Sequence, residues 1–124
     1  MQTLGEAFIN LNPTSESHLW VVSSAPTEEG VVIFNFTKAK PGFDSTCTIY
    51  PEEHPFVTEP TIVFYRKGRL LTPAAEETMR NMNCFVMKEP VTPALLRKIQ
   101  LGALASRYTT LKYQRLVELS LIPE

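Results

Sequence analysis

The 124-residue sequence predicts an α+β domain, mostly β, arranged as a small antiparallel barrel followed by two C-terminal helices. Three observations predict it. Short runs rich in β-branched and aromatic residues recur between about positions 18 and 89, separated by Pro- and Gly-containing turns instead of crossover helices. Helical periodicity is concentrated after residue 92, where Thr-Pro opens a run with apolar residues on one face. With 44% hydrophobic and 20% charged residues, the composition is that of one globular domain, long enough to form a core without a metal or disulfide staple.

Each element follows from local chemistry. Residues 1–16 read as an N-terminal extension, 18–89 as the barrel and 92–121 as the helical pair. His18–Ser24 forms the first strand, Ala25–Gly30 its turn, and Val31–Thr37 a central strand that pairs with the first as an antiparallel hairpin. After the Pro41-Gly42 loop, Thr46–Tyr50 alternates in polarity as a third strand ended by Pro51. Pro60 introduces a fourth, Thr61–Arg66. Thr72 and Pro73 start a short helix over 73–80, and Cys84–Lys88 is the fifth strand. Thr92 caps a helix over 94–105 that places Leu95, Leu96, Ile99 and Ala103 on one face, and a second helix starts from Thr110. The expected core is Trp20, Val22, Ile33, Phe34, Ile49, Val63, Phe85, Leu95, Ile99 and Leu116.

Charge is balanced in sum and divided along the chain. Residues 1–63 carry −6 and residues 64–124 carry +5, with a whole-chain value of −1 and a pI near 6.1. That balance argues against strong non-specific binding to DNA or membranes but allows a local basic face. No apolar run is long enough to cross a bilayer, and Met1–Asn10 lacks the pattern of a secretory signal, so the expected location is cytoplasmic. Cys47 and Cys84 form no CxxC pair and are expected as free thiols, with Cys47 facing inward. The spacing of His18, Cys47, His54 and Cys84 matches no paired-ligand zinc pattern, so neither a metal nor a cofactor is expected.

Two places carry chemistry-bearing side chains. His54, in the turn Glu52–Phe56, is a candidate proton-transfer residue, because an unperturbed imidazole titrates near neutral pH; the alternative is a turn histidine exposed to water. Tyr65-Arg66-Lys67-Gly68-Arg69 places three cations beside an aromatic ring where a strand gives way to a loop. Arg66 and Arg69 suit bidentate contacts to phosphate, and Tyr65 or Phe64 suits stacking on an unpaired base; the alternative is a solvated loop. Arg66 and Arg69 are expected to edge one anion site that His54 also lines.

The strand pattern over about residues 16–89 resembles the PemK/MazF family of bacterial toxins, carried by His18–Ser24, Val31–Thr37, Cys47–Pro51 and Thr61–Tyr65. Ser17-His18 stands where that family usually has Arg-Pro, and Thr37 is similar to its hydroxyl-bearing position at the end of the second strand. The resemblance implies an SH3-like barrel and metal-independent cleavage of single-stranded RNA, and of the site residues it carries over Thr37 alone, in substrate binding; from the residues' own chemistry His54 and Arg66 are the catalytic candidates, with Arg69 and Tyr65 in substrate binding. It also implies an antitoxin partner and admits a homodimer. The competing function is a non-enzymatic barrel that binds a protein partner, which fits the near-neutral charge. A third is a nucleic-acid adaptor without chemistry.

Overall fold

The computed structural model describes residues 3–11 and 18–124; residues 1–2 and 12–17, within the expected N-terminal extension, lie outside it. The described strands are β1 (Ala7–Asn10), β2 (Leu19–Val22), β3 (Val31–Lys38), β4 (Thr48–Ile49), β5 (Thr61–Val63), β6 (Arg69–Leu71) and β7 (Phe85–Lys88), and the helices are α1 (Pro73–Asn81), α2 (Pro93–Ala105) and α3 (Leu111–Leu119). Every ladder is antiparallel and the order is β4-β5-β3-β2-β1-β7, with β6 also on β3. The fold is therefore α+β and mostly antiparallel sheet. Among the described residues no ladder joins β7 to β4 or β6, so the sheet is open.

β3 organises the sheet. Its apolar residues alternate between two faces: Val32, Phe34 and Phe36 enter the main core beneath α2 and α3, whereas Val31 and Ile33 join Phe8, Val22 and Leu71 in a second cluster. β2 pairs along one edge through Trp20↔Asn35 and Val22↔Ile33. The hairpin turn between them closes at Gly30, whose φ of +125 only glycine tolerates readily, and where a Cβ would lie 2.0 Å from the Leu71 carbonyl oxygen. Along the other edge, β6 pairs with the start of β3 and β5 with its end.

Three expected strands shorten by more than one residue and two strands are new; the first, expected over His18–Ser24, is Leu19–Val22. The strand expected over Thr61–Arg66 stops at Val63, because the chain makes a 3-10 turn at Tyr65–Lys67 that carries the Tyr65 side chain into the core. The third strand shortens to Thr48–Ile49. β6 emerges from the loop expected between the fourth strand and the helix at 73, and β1 from the segment read as an extension. β1 is only four residues long, too short for alternation to announce it, yet it pairs with both β2 and β7. Seven of the ten expected core residues are buried; Trp20, Phe85 and Leu116 are half-buried at the core margins.

The helices start where hydroxyl caps place them. Thr72, Thr92 and Thr110 each accept a hydrogen bond from the backbone N–H three residues on, at 3.1, 3.1 and 3.3 Å. The face Leu95, Leu96, Ile99 and Ala103 is buried against the sheet, as its spacing predicts. Replacing Thr92 with alanine should cost about 1 kcal/mol, read as a lower urea midpoint at unchanged slope. No described helix is long and apolar enough to cross a membrane.

Candidate functional site

The end of β3 and the loop before β5 enclose a pocket of about 350 Å³. Its chemistry comes from His18, Thr37, Lys38, Lys40, Thr58, Glu59 and Thr61. The ladder sets this geometry: continuing the β2–β3 register outward from Trp20↔Asn35 brings His18 opposite Thr37. The His18 ring nitrogen Nδ1 lies 2.9 Å from the Phe36 carbonyl oxygen. A carbonyl only accepts, so Nδ1 carries the proton of that bond. On the other side, Lys38 stands opposite Thr61, whose hydroxyl donates to the Glu59 carbonyl oxygen at 2.8 Å.

The pocket is electropositive by composition. Lys38 and Lys40 face one carboxylate, Glu59, whose oxygen is 3.9 Å from Lys38 Nζ with both side chains more than half exposed. An ion pair so open to solvent is weak and is readily given up for a better anion. Two ammonium groups, an imidazole and threonine hydroxyls on a concave surface suit the oxygens of a phosphodiester.

The residues expected to form one site are held apart. His54 is only 3% exposed and its ring is fully used: Nε2 donates to the Glu89 carbonyl oxygen at 2.6 Å and Nδ1 accepts from Phe56 N–H at 3.0 Å. This corrects both readings of His54, since it is neither a solvated turn residue nor placed to trade a proton with a substrate; it joins the 54–57 turn to the segment after β7. Tyr65 is also corrected. It is 2% exposed, and its hydroxyl donates to the Ile99 carbonyl oxygen of α2 at 2.7 Å, so its ring is core and is not presented to a base. Arg66 is exposed and lies over the Tyr108 ring at 4.3 Å, while Arg69 lies over Trp20 at 5.6 Å. These arginines, three residues apart in sequence, serve different aromatic neighbours and do not meet His54. Of the expected set, Thr37 alone lines the pocket.

Lys38 and Lys40 carry no signal of their own in the sequence, because a two-lysine loop beside Pro41-Gly42 is ordinary surface composition. His18 is not among the expected site residues; in the resemblance Ser17-His18 is the departure from the family's Arg-Pro pair, and Ser17 lies outside the described residues. Cys47 is buried, as its alternation with Thr46 and Thr48 predicts, and burial pushes its thiol up, away from the reactive thiolate. No family model, curated protein or solved structure matches this chain.

Proposed function

We propose that the chain binds single-stranded RNA across the His18/Thr37 pocket and is a toxin-like, metal-independent endoribonuclease. The observation that carries this reading is the convergence of His18, Thr37, Lys38 and Lys40 on one concave, electropositive surface. In this chemistry His18 Nε2 takes the proton of a ribose 2′-hydroxyl, O2′ attacks the adjacent phosphorus, and the P–O5′ bond breaks. The leaving O5′ takes a proton from a lysine ammonium or from water, giving a 2′,3′-cyclic phosphate and a 5′-hydroxyl. Lys38 and Lys40 offset the charge that builds on the phosphoryl oxygens, and the Thr37 hydroxyl donates to them. The nucleophile is supplied by the RNA itself. On the same reading the sheet is a small SH3-like barrel, supported by short antiparallel strands and by β3 holding β2 on one edge and β5 and β6 on the other.

A mixed single-stranded RNA pool incubated at low salt with a chelator tests it, with the ends of the fragments mapped. Cleavage leaving cyclic phosphate ends is expected. Replacing Lys38 and Lys40 with alanine should weaken RNA binding and reduce the slope of log K against log salt by about 0.7 for every phosphate that is no longer neutralised. Wild-type protein that neither binds nor cuts the pool would remove the RNA reading. A protein-binding function would then stand on a separate observation: the outer edge of β7 has no strand partner among the described residues and exposes Val86 and Met87.

A further inference from the structure

A second concave surface lies beside the pocket, where the Gly42–Asp44 loop, the 3-10 turn at Tyr65–Lys67 and the α2–α3 connection meet. Phe43 stacks on Phe64 with ring centres 5.5 Å apart and planes 27° apart, has the Lys40 ammonium over its ring, and remains 39% exposed. Two guanidinium groups converge on one ring nearby: Arg66 lies 4.3 Å and Arg107 5.0 Å from the centre of Tyr108, and Arg107 Nη2 donates to the Tyr108 hydroxyl at 2.9 Å. Among the described residues neither arginine is ion-paired. Two adjoining depressions, about 110 and 340 Å³, share Gly42, Phe43, Asp44 and Tyr108 and reach Arg66 and Arg107 respectively.

The loop that carries Phe43 is fixed in place. Asp44 accepts from the Ser106 hydroxyl at 2.6 Å and from Thr46 N–H at 3.0 Å, which ties the loop to the end of α2. Burial raises the Asp44 carboxyl, but the bonds from Ser106 and Thr46 and the charge of Arg107 outweigh it, so the group sits below its ordinary value and stays ionised at neutral pH. Its charge answers one of the surrounding cations. Arg66, Arg107 and Lys40 together leave an excess of positive charge around an exposed aromatic face.

A part-exposed ring beside guanidinium groups that form no ion pair matches the two parts of a nucleotide. We propose that this surface is a nucleotide subsite, in which one base of a single-stranded RNA stacks on Phe43 and the neighbouring phosphate is held by Arg66 and Arg107. Lys40 makes it continuous with the first pocket: its Nζ lies 5.7 Å from the centre of Phe43, and the same residue lines the His18/Thr37 pocket. One strand therefore crosses both, with Lys40 between the reacting phosphate and the stacked base. The inference rests on the RNA reading of that pocket and adds where the flanking nucleotide goes. The arrangement has an independent signature in Tyr108, whose phenol is held below its ordinary value by the hydrogen bond and charge of Arg107 and by Arg66. A phosphate between the arginines should return it upward.

The test combines a ligand titration with RNA binding by variants. Adding 5′-AMP at low salt should shift the aromatic NMR signals of Phe43 and Tyr108, with adenosine or inorganic phosphate alone giving smaller shifts. Phe43→Ala should weaken single-stranded RNA binding by about 5- to 100-fold, the range of one base stack, and Phe43→Trp should restore it. Replacing Arg66 and Arg107 together with alanine should flatten the salt dependence by about 0.7 of a unit of slope, the value of one phosphate. RNA binding that follows Phe43 but ignores Lys38 supports the subsite and removes the first pocket. Binding that follows Lys38 but ignores Phe43 and both arginines overturns the subsite and leaves the pocket. Failure of both RNA and 5′-AMP to perturb the protein overturns the two together, and a response to a phosphotyrosyl peptide with none to 5′-AMP overturns the nucleotide assignment.

Discussion

Alanine at position 102 is expected to destabilise the protein by about 2 to 4 kcal/mol, combining overpacking with the loss of a buried hydrogen bond. Gly102 lies in α2 where the helix packs against Tyr65 and Cys47. A Cβ there would meet the Tyr65 hydroxyl oxygen at 2.1 Å and Cys47 Cβ at 2.9 Å. The tyrosine is held from both ends: its hydroxyl bonds to the Ile99 carbonyl oxygen and its ring meets Phe34 edge-on at 5.0 Å. Either α2 moves off the sheet or Tyr65 leaves its partner. The helical preference for alanine over glycine, up to about 1 kcal/mol, offsets only part of this cost. The cause is separable by a double-mutant cycle. Tyr65→Phe removes the oxygen nearest the new methyl group, so Gly102→Ala should cost clearly less in that background than in the wild type. Equal shifts of the urea midpoint in the two backgrounds would place the strain somewhere other than the Tyr65 contact.

Tyr65 also shows where sequence reading stops. Its neighbours Arg66, Lys67, Gly68 and Arg69 mark a polar loop, and local composition places the ring at the surface. Its partner in the helix, Ile99, lies thirty-four residues on, and this tertiary contact holds the ring inward. The same contact explains why the strand expected over Thr61–Arg66 ends with β5 and gives way to a 3-10 turn. His54 follows the same logic, since its partner at Glu89 is remote in sequence and its burial depends on it. By contrast, the hairpin of β2 and β3 and the three capped helices were legible, because each is set by side chains within a few positions of its boundary. The candidate site was legible only in Thr37. Pocket lining depends on which strand ends meet, and the pairing of β3 with β5 brings Lys38 to Thr61 from a position twenty-three residues away.

Removing the imidazole of His18 should lower the RNA cleavage rate by about 10²- to 10⁴-fold while changing RNA affinity little. The bond from Nδ1 to the Phe36 carbonyl fixes both ring orientation and tautomer, as the orienting partner of a general base does. Thr37 stands opposite, and Lys38 and Lys40 extend the same surface, so a phosphodiester seated on the lysines would hold its 2′-hydroxyl within the pocket that His18 lines. His18→Asn is the sharper variant, because the amide can still donate to Phe36 but has no basic nitrogen. It should keep the fold to within about 1 kcal/mol, the value of one hydrogen bond, and lose cleavage as His18→Ala does. Wild-type cleavage in the His18→Asn protein would remove the histidine from the chemical step, whereas loss of RNA binding in that variant with the fold intact would make it a binding residue instead.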